Sequence, residues 1–446
     1  MTDSCNSASL FDRIKSRLLS SASANVFRGM ATLALGSGIG RVIGIIAIPV
    51  LTRLYAPEDF GVLAVFTALV AILAPIVTLR YPLALPLPRH EGAAINLVVL
   101  SIVLMLVLSI AIAAILWMWG TPLLTLVSME VLVPWWWLIA LGVLGTALYE
   151  LLSMWATRRR AYRLIAQTNV AQSLAGALIK IGLGLAAVQP LGLLVGQVLA
   201  QTSGILRLMR GFGVELGANW RHVSLARIWI VALRYSDFPT WRMPSQFLMV
   251  FSMQAPILAF SMLYDDTSVG QLGLALTALA IPISVLGGTT SNAYYAEVSR
   301  IGPADPKGIY AVTTSTLKTM LAVSVAPSLV FFAFGTQIFS FFLGPAWAEA
   351  GRYAEILSTY LLLQFLSNPI SKTFSVLRME WTYFLINAQR SILIIGGFVA
   401  SYVFDFDAES ALILFVSLTS LHRLIVVGLT LYTLRKRISQ RAGQKI

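Results

Sequence analysis

Charge is scarce in this sequence. Only 11% of its 446 residues are Asp, Glu, Lys or Arg, whereas 58% are apolar, and mean hydropathy is +0.81. Soluble domains carry about 25% charged residues, so this chain lacks the polar surface a soluble fold of its size needs. Cysteine is scarcer still: the lone Cys5 allows no internal disulfide and no thiolate metal cluster. The three histidines, His90, His222 and His422, stand far apart without ligand spacing, so no metal and no other cofactor is expected. The chain has no Gly-x-x-x-x-Gly-Lys-Ser/Thr loop, which excludes a P-loop for ATP. A cleavable signal peptide is not expected either, because the small-residue stretch SSASA precedes the first apolar run instead of following it.

What is present is long apolar text. Runs of 18 or more residues, each able to cross a hydrocarbon core of about 30 Å as a helix, recur along the chain. They read as about twelve spans, near 30–52, 60–80, 93–118, 131–156, 165–187, 191–209, 238–260, 268–292, 313–335, 353–377, 382–404 and 409–433, with Pro57, Pro122, Pro190 and Pro303 as punctuation. Strand barrels are excluded, since the runs lack the period-2 alternation of lipid-facing strands. The expected fold is an all-α polytopic membrane protein.

Bases outnumber acids, 32 to 19, and their placement explains the excess. Arg80, Arg89, the Arg158–Arg160 cluster, the arginines from Arg207 to Arg242, and the tail from Arg435 all fall on the side of the N-terminus. The opposite side holds only Arg53 and Arg352. By the positive-inside rule both termini are cytoplasmic. The basic loops then have anionic lipid headgroups as neighbours, and no nucleic acid is expected as a partner. The chain divides into a cytoplasmic N-terminal segment (1–29), a first six-helix bundle (30–209), a cytoplasmic linker (210–237), a second bundle (238–433) and a basic cytoplasmic tail (434–446). Within the first segment, FDRIKSRLL sets apolar Phe11, Ile14 and Leu18 at helical spacing; it reads as an interfacial helix or as a disordered stretch.

An internal repeat relates the two bundles. IPVLTRLYAPEDFGVLAVFTALVAILAPIV lies over APILAFSMLYDDTSVGQLGLALTALAIPIS. Pro49 meets Pro256, Leu54-Tyr55 meets Leu263-Tyr264, Gly61 meets Gly270 and Pro75 meets Pro282, at offsets of 207 or 209 residues. Six helices is an even number, so both copies enter the membrane in the same direction. Parallel halves about an axis normal to the bilayer are a transporter architecture, with a central cavity between them.

Several spans carry charge: Arg41, Lys180, Arg390 and Arg423, with Glu150 as the single acid. A charge at the bilayer centre costs about 2.5–3.5 kcal/mol, so such groups face a cavity or snorkel to a headgroup. Glu150 reads either as a partner of the Arg158–Arg160 cluster or as a protonatable or sodium-binding site coupled to an H+ or Na+ gradient. Asp237 and Arg242 flank Pro239 at the start of the seventh span, where the prolines mark either a helix start or a gating bend. Gly36, Gly40 and Gly44 form a flat face for close helix contact, one position round from Arg41. Four cations against one acid leave a positive interior, suited to an anion and above all to phosphate.

The run Gly36-x-Gly-x-Gly-Arg41, then Ile48-Pro-Val-Leu-Thr-Arg-Leu-Tyr-Ala-Pro-Glu-Asp-Phe-Gly61 and Leu79-Arg-Tyr-Pro-Leu-Ala84, resembles the polysaccharide flippases of the multidrug/oligosaccharidyl-lipid/polysaccharide exporter superfamily. Val269-Gly270 followed by Pro282, Tyr294-Tyr295-Ala-Glu-Val-Ser-Arg300, and Leu343-Gly-Pro-Ala-Trp347-Ala-Glu-Ala-Gly-Arg352-Tyr carry the likeness through the second half. The resemblance implies a bacterial inner-membrane flippase for an undecaprenyl-pyrophosphate-linked glycan, serving O-antigen or exopolysaccharide assembly alongside a polymerase and chain-length machinery. It implies two bundles opening alternately about a cationic lumen. Arg41 and Arg80 would meet the pyrophosphate, Arg53 would sit near the outer mouth, and Lys180 and Arg390 would add to the lumen's charge. About twelve spans, where the lipid II branch has fourteen, disfavours a peptidoglycan precursor as cargo. The paucity of buried carboxylates disfavours an ion-coupled drug or metabolite antiporter. Outer loops too short for a catalytic domain disfavour a membrane glycosyltransferase or polymerase.

Overall fold

The computed structural model describes residues 21–443 apart from 219, 284–286 and 378; the FDRIKSRLL segment lies outside them. Among the described residues there is no strand. The first half comprises α1 (Ser21–Leu54), α2 (Pro57–Thr78), α3 (Glu91–Thr125), α4 (Trp136–Arg158), α5 (Tyr162–Leu185), α6 (Leu191–Thr202) and α7 (Ile205–Ala218). A short helix, α8 (Leu225–Arg234), leads to the second half. That half holds α9 (Met243–Leu263), α10 (Asp266–Pro282), α11 (Gly288–Ile301), α12 (Pro306–Leu343), α13 (Ala348–Ile370), α14 (Lys372–Val376), α15 (Glu380–Val403) and α16 (Ala408–Gly443).

Nine stretches among the described residues are long and apolar enough to cross a membrane. The helices α5, α10 and α13 complete the expected set: each occupies a predicted span, but is too polar or too short to qualify alone. One of the nine, Leu191–Gly213, joins α6 to α7.

Local chemistry sets several boundaries differently from expectation. The first helix is already formed at Ser21, the first described residue, well before residue 30. Pro122 does not end the third span but sits inside α3, and the helix kinks at Trp119 (φ −123°, ψ 17°), where the proline ring crowds the preceding turn. The 210–237 linker is largely helical, and α8 lies against α3 with the Tyr81 hydroxyl donating to the Ala232 carbonyl at 3.1 Å. The basic tail continues α16: Arg435 donates to the Tyr310 hydroxyl at 3.0 Å, and Arg437 reaches the Leu377 carbonyl at 3.4 Å.

The two halves repeat one another in backbone detail. The turn from α1 into α2 passes through Ala56 at φ −75°, ψ 161°, and the turn from α9 into α10 passes through Asp265 at φ −78°, ψ 162°. Tyr55 and Tyr264, one residue earlier, each anchor their turn by donating to carbonyls of their own bundle: Tyr55 to Lys180 at 2.7 Å, Tyr264 to Phe406 at 2.8 Å. Of the membrane-crossing stretches α2 is the most enclosed, and with α9 and α10 packed on it, it forms the centre of the molecule.

Candidate functional site

At the end where the two repeat turns lie, called here the turn end, the bundles touch through their duplicated glycines. A Cβ on Gly61 would strike the carbonyl oxygen of Asp266, and a Cβ on Gly270 would strike that of Pro57. Pro57 and Asp266 are the first residues of α2 and α10, so the contact is reciprocal and a pseudo-two-fold axis passes between the helices. Only glycine permits so close a backbone approach. Gly273 extends the crossing, since a Cβ there would stand 3.0 Å from the Ala64 methyl.

Side chains complete this seal. Thr267 donates to the Glu58 carboxylate at 2.7 Å. Trp347, buried between α12 and α13, sets its ring edge-on to Phe60 at 4.9 Å and donates its indole N–H to the Thr52 carbonyl at 3.1 Å. Gln271 braces the tryptophan loop by donating to Ala346 at 2.7 Å and accepting from the Ala350 N–H at 2.9 Å.

Below the seal, α1 has three faces. Gly36 and Gly40 pack on α5, where a Cβ would meet Ala166 and the Ser173 hydroxyl. Gly44, expected on that face, has open space beside it. Leu35, Ile39, Val42, Ile46 and Val50 form a separate exposed apolar face. Arg41, Ile45, Ile48 and Thr52 follow one another at i, i+4, i+7 and i+11, and so share a third face. Thr52, at the top of that face, is buried where Trp347 of the second half meets it. Arg41 shares that face, about 16 Å along α1 from Thr52. It is exposed and has no hydrogen-bond or ion-pair partner among the described residues.

The other cations lie elsewhere. Arg53 is exposed in the last turn of α1. Arg80 stands after α2 in the left-handed region (φ 60°), and its guanidinium is 2.6 Å from Glu150, with both side chains mostly buried. Glu150 thus belongs to Arg80 and not to the Arg158–Arg160 cluster. Arg158 and Arg159 hold Glu91 at 3.3 and 3.1 Å, and Arg158 also donates to the Leu85 and Pro88 carbonyls. Lys180 is half-buried inside the first bundle, donating to Gln197 at 2.7 Å. Arg390 lies inside the second bundle within electrostatic reach of Tyr360 and Arg423. Asp237 precedes a π-helical turn, Phe238–Arg242, that contains Pro239 and runs on into α9 without a gap; Arg242 lies 5.6 Å over the Phe238 ring. Single-turn π segments of this kind are frequent at functional sites.

Sequence reasoning missed the partners more than the charges. Gln197, Tyr360 and Asn368 look like packing residues in apolar text, and only the fold brings them to Lys180 and Arg423. Trp347 and Gly61 were visible as part of family-like stretches, yet their meeting across the halves was not.

A family model described as "Polysaccharide biosynthesis protein" matches residues 50–352. Among solved structures the chain is similar to the lipid II flippase MurJ in an inward closed conformation, at 12% identity and a TM-score of 0.68, covering 90% of this chain and 87% of that one. It is also similar to an inward-facing multidrug resistance MATE family transporter of the MOP superfamily (15% identity, TM-score 0.60, 91% and 98% covered). A third likeness is to a mutant form of the Vibrio cholerae MATE transporter VcmN (12%, 0.53, 94% and 98%). At these identities the likeness is one of fold. No curated protein matches the sequence.

Proposed function

Because the chain belongs to the polysaccharide biosynthesis protein family, we propose that it is a flippase carrying undecaprenyl-pyrophosphate-linked oligosaccharide units across the bacterial inner membrane. The observation that carries this reading is the reciprocal Gly61–Gly270 seal, with the free Arg41 on the face below it. A seal on the pseudo-two-fold axis between duplicated halves is the part an alternating-access machine opens and closes. With both termini cytoplasmic the turn end is the outer end, so the seal closes the periplasmic mouth and the seam beneath it opens inward. Arg41 stands near the middle of the Thr32–Leu54 span, too deep to snorkel. It would meet the diphosphate in a wet vestibule, where a guanidinium binds phosphate best. Arg53, nearer the outer mouth, would take the headgroup after the seal opens. Arg80 stays with Glu150, and Lys180 shapes the first bundle through Gln197.

The chain carries no nucleotide loop, so transport would draw on an Na+ or H+ gradient, the membrane potential, or removal of the product by a polymerase and its chain-length machinery. An antiporter reading would need Glu150 free to exchange a proton or sodium, and Arg80 occupies it.

Deleting the gene and labelling lipid-linked glycan on each leaflet tests the proposal. Repeat units should accumulate on the cytoplasmic side, and Arg41→Ala should reproduce that accumulation with the protein still in the membrane. Unchanged export in the Arg41→Ala strain would remove the vestibule assignment; unchanged export in the deletion strain would remove the flippase.

A further inference from the structure

The second bundle holds a cluster of basic groups to which the proposed function gives no part. Arg423, on α16, donates to the Tyr360 hydroxyl at 3.1 Å and to the Asn368 amide oxygen at 3.4 Å, both on α13. Its guanidinium carbon lies 5.5 Å over the Tyr360 ring. Its Nε is buried without a hydrogen-bond partner. Beside it His422 is 3% exposed, and its Nδ1 is likewise buried and unpartnered. Arg390, from α15, lies within electrostatic reach of Arg423, His422, Tyr360 and Tyr383. No carboxylate is among the charged groups that act on Arg390, His422 or Tyr360.

Two guanidiniums and an imidazole from two helices, held together by uncharged acceptors alone, repel one another. The arrangement is incomplete as a structural network: an ion-pair role would call for an acid, and a packing role would call for apolar side chains. The groups it leaves unsatisfied are donors, or in the imidazole a group that becomes one on protonation. An oxyanion supplies what is missing, being able to accept from several N–H and O–H donors at once.

We propose that Arg390, Arg423 and His422, with Tyr360, Tyr383 and Asn368, form a phosphate-class anion site inside the second bundle, separate from the Arg41 vestibule. The site lies between α13, α15 and α16, whereas Arg41 is on α1. It does not depend on the flippase reading: Arg390, expected there to add to the lumen's charge, is grouped here by its neighbours Arg423, Tyr360 and Tyr383. Its ligand is a phosphate or diphosphate group, either free in the aqueous phase or borne by a prenyl carrier.

The test is thermal unfolding of the purified full chain in detergent with inorganic pyrophosphate, with farnesyl diphosphate, and with sodium chloride at matched ionic strength. The wild type should gain several degrees with a diphosphate and not with chloride. Arg390→Gln should lose that gain while, without ligand, unfolding at or above the wild-type temperature, because it removes a repelling charge and breaks no hydrogen bond. Arg423→Gln should lose the gain as well; if it fails to fold, Arg390→Gln alone decides. Arg41→Gln should keep the gain, which separates this site from the vestibule. A gain from both probes assigns the site to the diphosphate itself, and a gain from farnesyl diphosphate alone assigns it to a carrier headgroup. No gain over chloride, or a full gain retained in Arg390→Gln, would overturn the proposal.

Discussion

Arg80 and Glu150 show how one pair of side chains settles a question that position alone leaves open. Each is mostly buried, and they meet at 2.6 Å. Removing one partner strands the other in a poorly hydrated site, at a cost of about 3 kcal/mol, whereas removing both leaves a gap without an orphan charge. Arg80→Met and Glu150→Met should therefore each lower the thermal midpoint clearly, and the double variant should recover most of the loss. The same variants bear on mechanism. If Glu150 only anchors Arg80, the double variant retains glycan export; an export defect that persists in a stable double variant would make the carboxylate a coupling group. Arg80 also shows why burial alone does not mark a ligand-binding cation. The exposed, unengaged Arg41 has its donors available to a headgroup, whereas Arg80 is mostly buried with its charge held by Glu150.

The elements α2 and α10 meet through backbone, which makes their packing sensitive to a single methyl. Gly61→Ala or Gly270→Ala would push a Cβ into a carbonyl of the facing helix. Neither helix can yield locally, since each contact is backbone against backbone; overpacking of this kind costs about 1–3 kcal/mol. The strain falls on the closed seal and not on the separated halves, so either substitution should shift the population toward an open turn end. Spin labels at Glu58→Cys and Thr267→Cys, close across the seal in the parent, should report a longer distance in the alanine variants; an unchanged distance would mean that the helices slide without parting. The start of α10 adds a pH dependence. The Ser268 hydroxyl, and its backbone N–H at 3.3 Å, hold the Asp265 carboxyl below the usual carboxylate range. A depressed folded value stabilises the protein above the unfolded value of 3.8, and that contribution fades as pH falls through the folded value. Asp265→Ala should thus cost about 0.5–1 kcal/mol at neutral pH, as lost N-caps do, and the gap from the parent should close in acid, read from melting curves on either side of pH 3.8.

Across the whole molecule, the sequence displayed the features that period and repetition set, and concealed those that depend on which faces meet. Continuous apolar runs disclosed the spans, and the shared Leu-Tyr and glycine positions disclosed the duplication. A repeat alignment states equivalence, however, not contact. Gly61 and Gly270 touch because they lie on the symmetry axis, which no alignment locates. Arg80, just past α2, and Glu150 on α4 are 70 residues apart, and Arg423 and Tyr360 are 63 apart, so their pairing is settled by how the helices pack within a bundle. Pro122 misled because a proline in a long membrane helix can kink it without ending it. The proposed mechanism is itself a matter of faces: Gly61 and Gly270 close the turn end, and Arg41 is proposed to face the seam below that seal. Replacing Cys5 with Ser and Arg41 with Cys turns this into a measurement. On the proposed reading, in which the vestibule opens from the end opposite the seal, a membrane-impermeant thiol reagent should label that cysteine in inside-out vesicles and leave it unlabelled in right-side-out ones. On the alternating-access proposal, adding Gly270→Ala should raise labelling from the outside and lower it from the inside, since opening one mouth closes the other. Labelling from both sides in the parent would mean a channel-like seam, and labelling from the outside alone would reverse the assignment of the turn end to the periplasm.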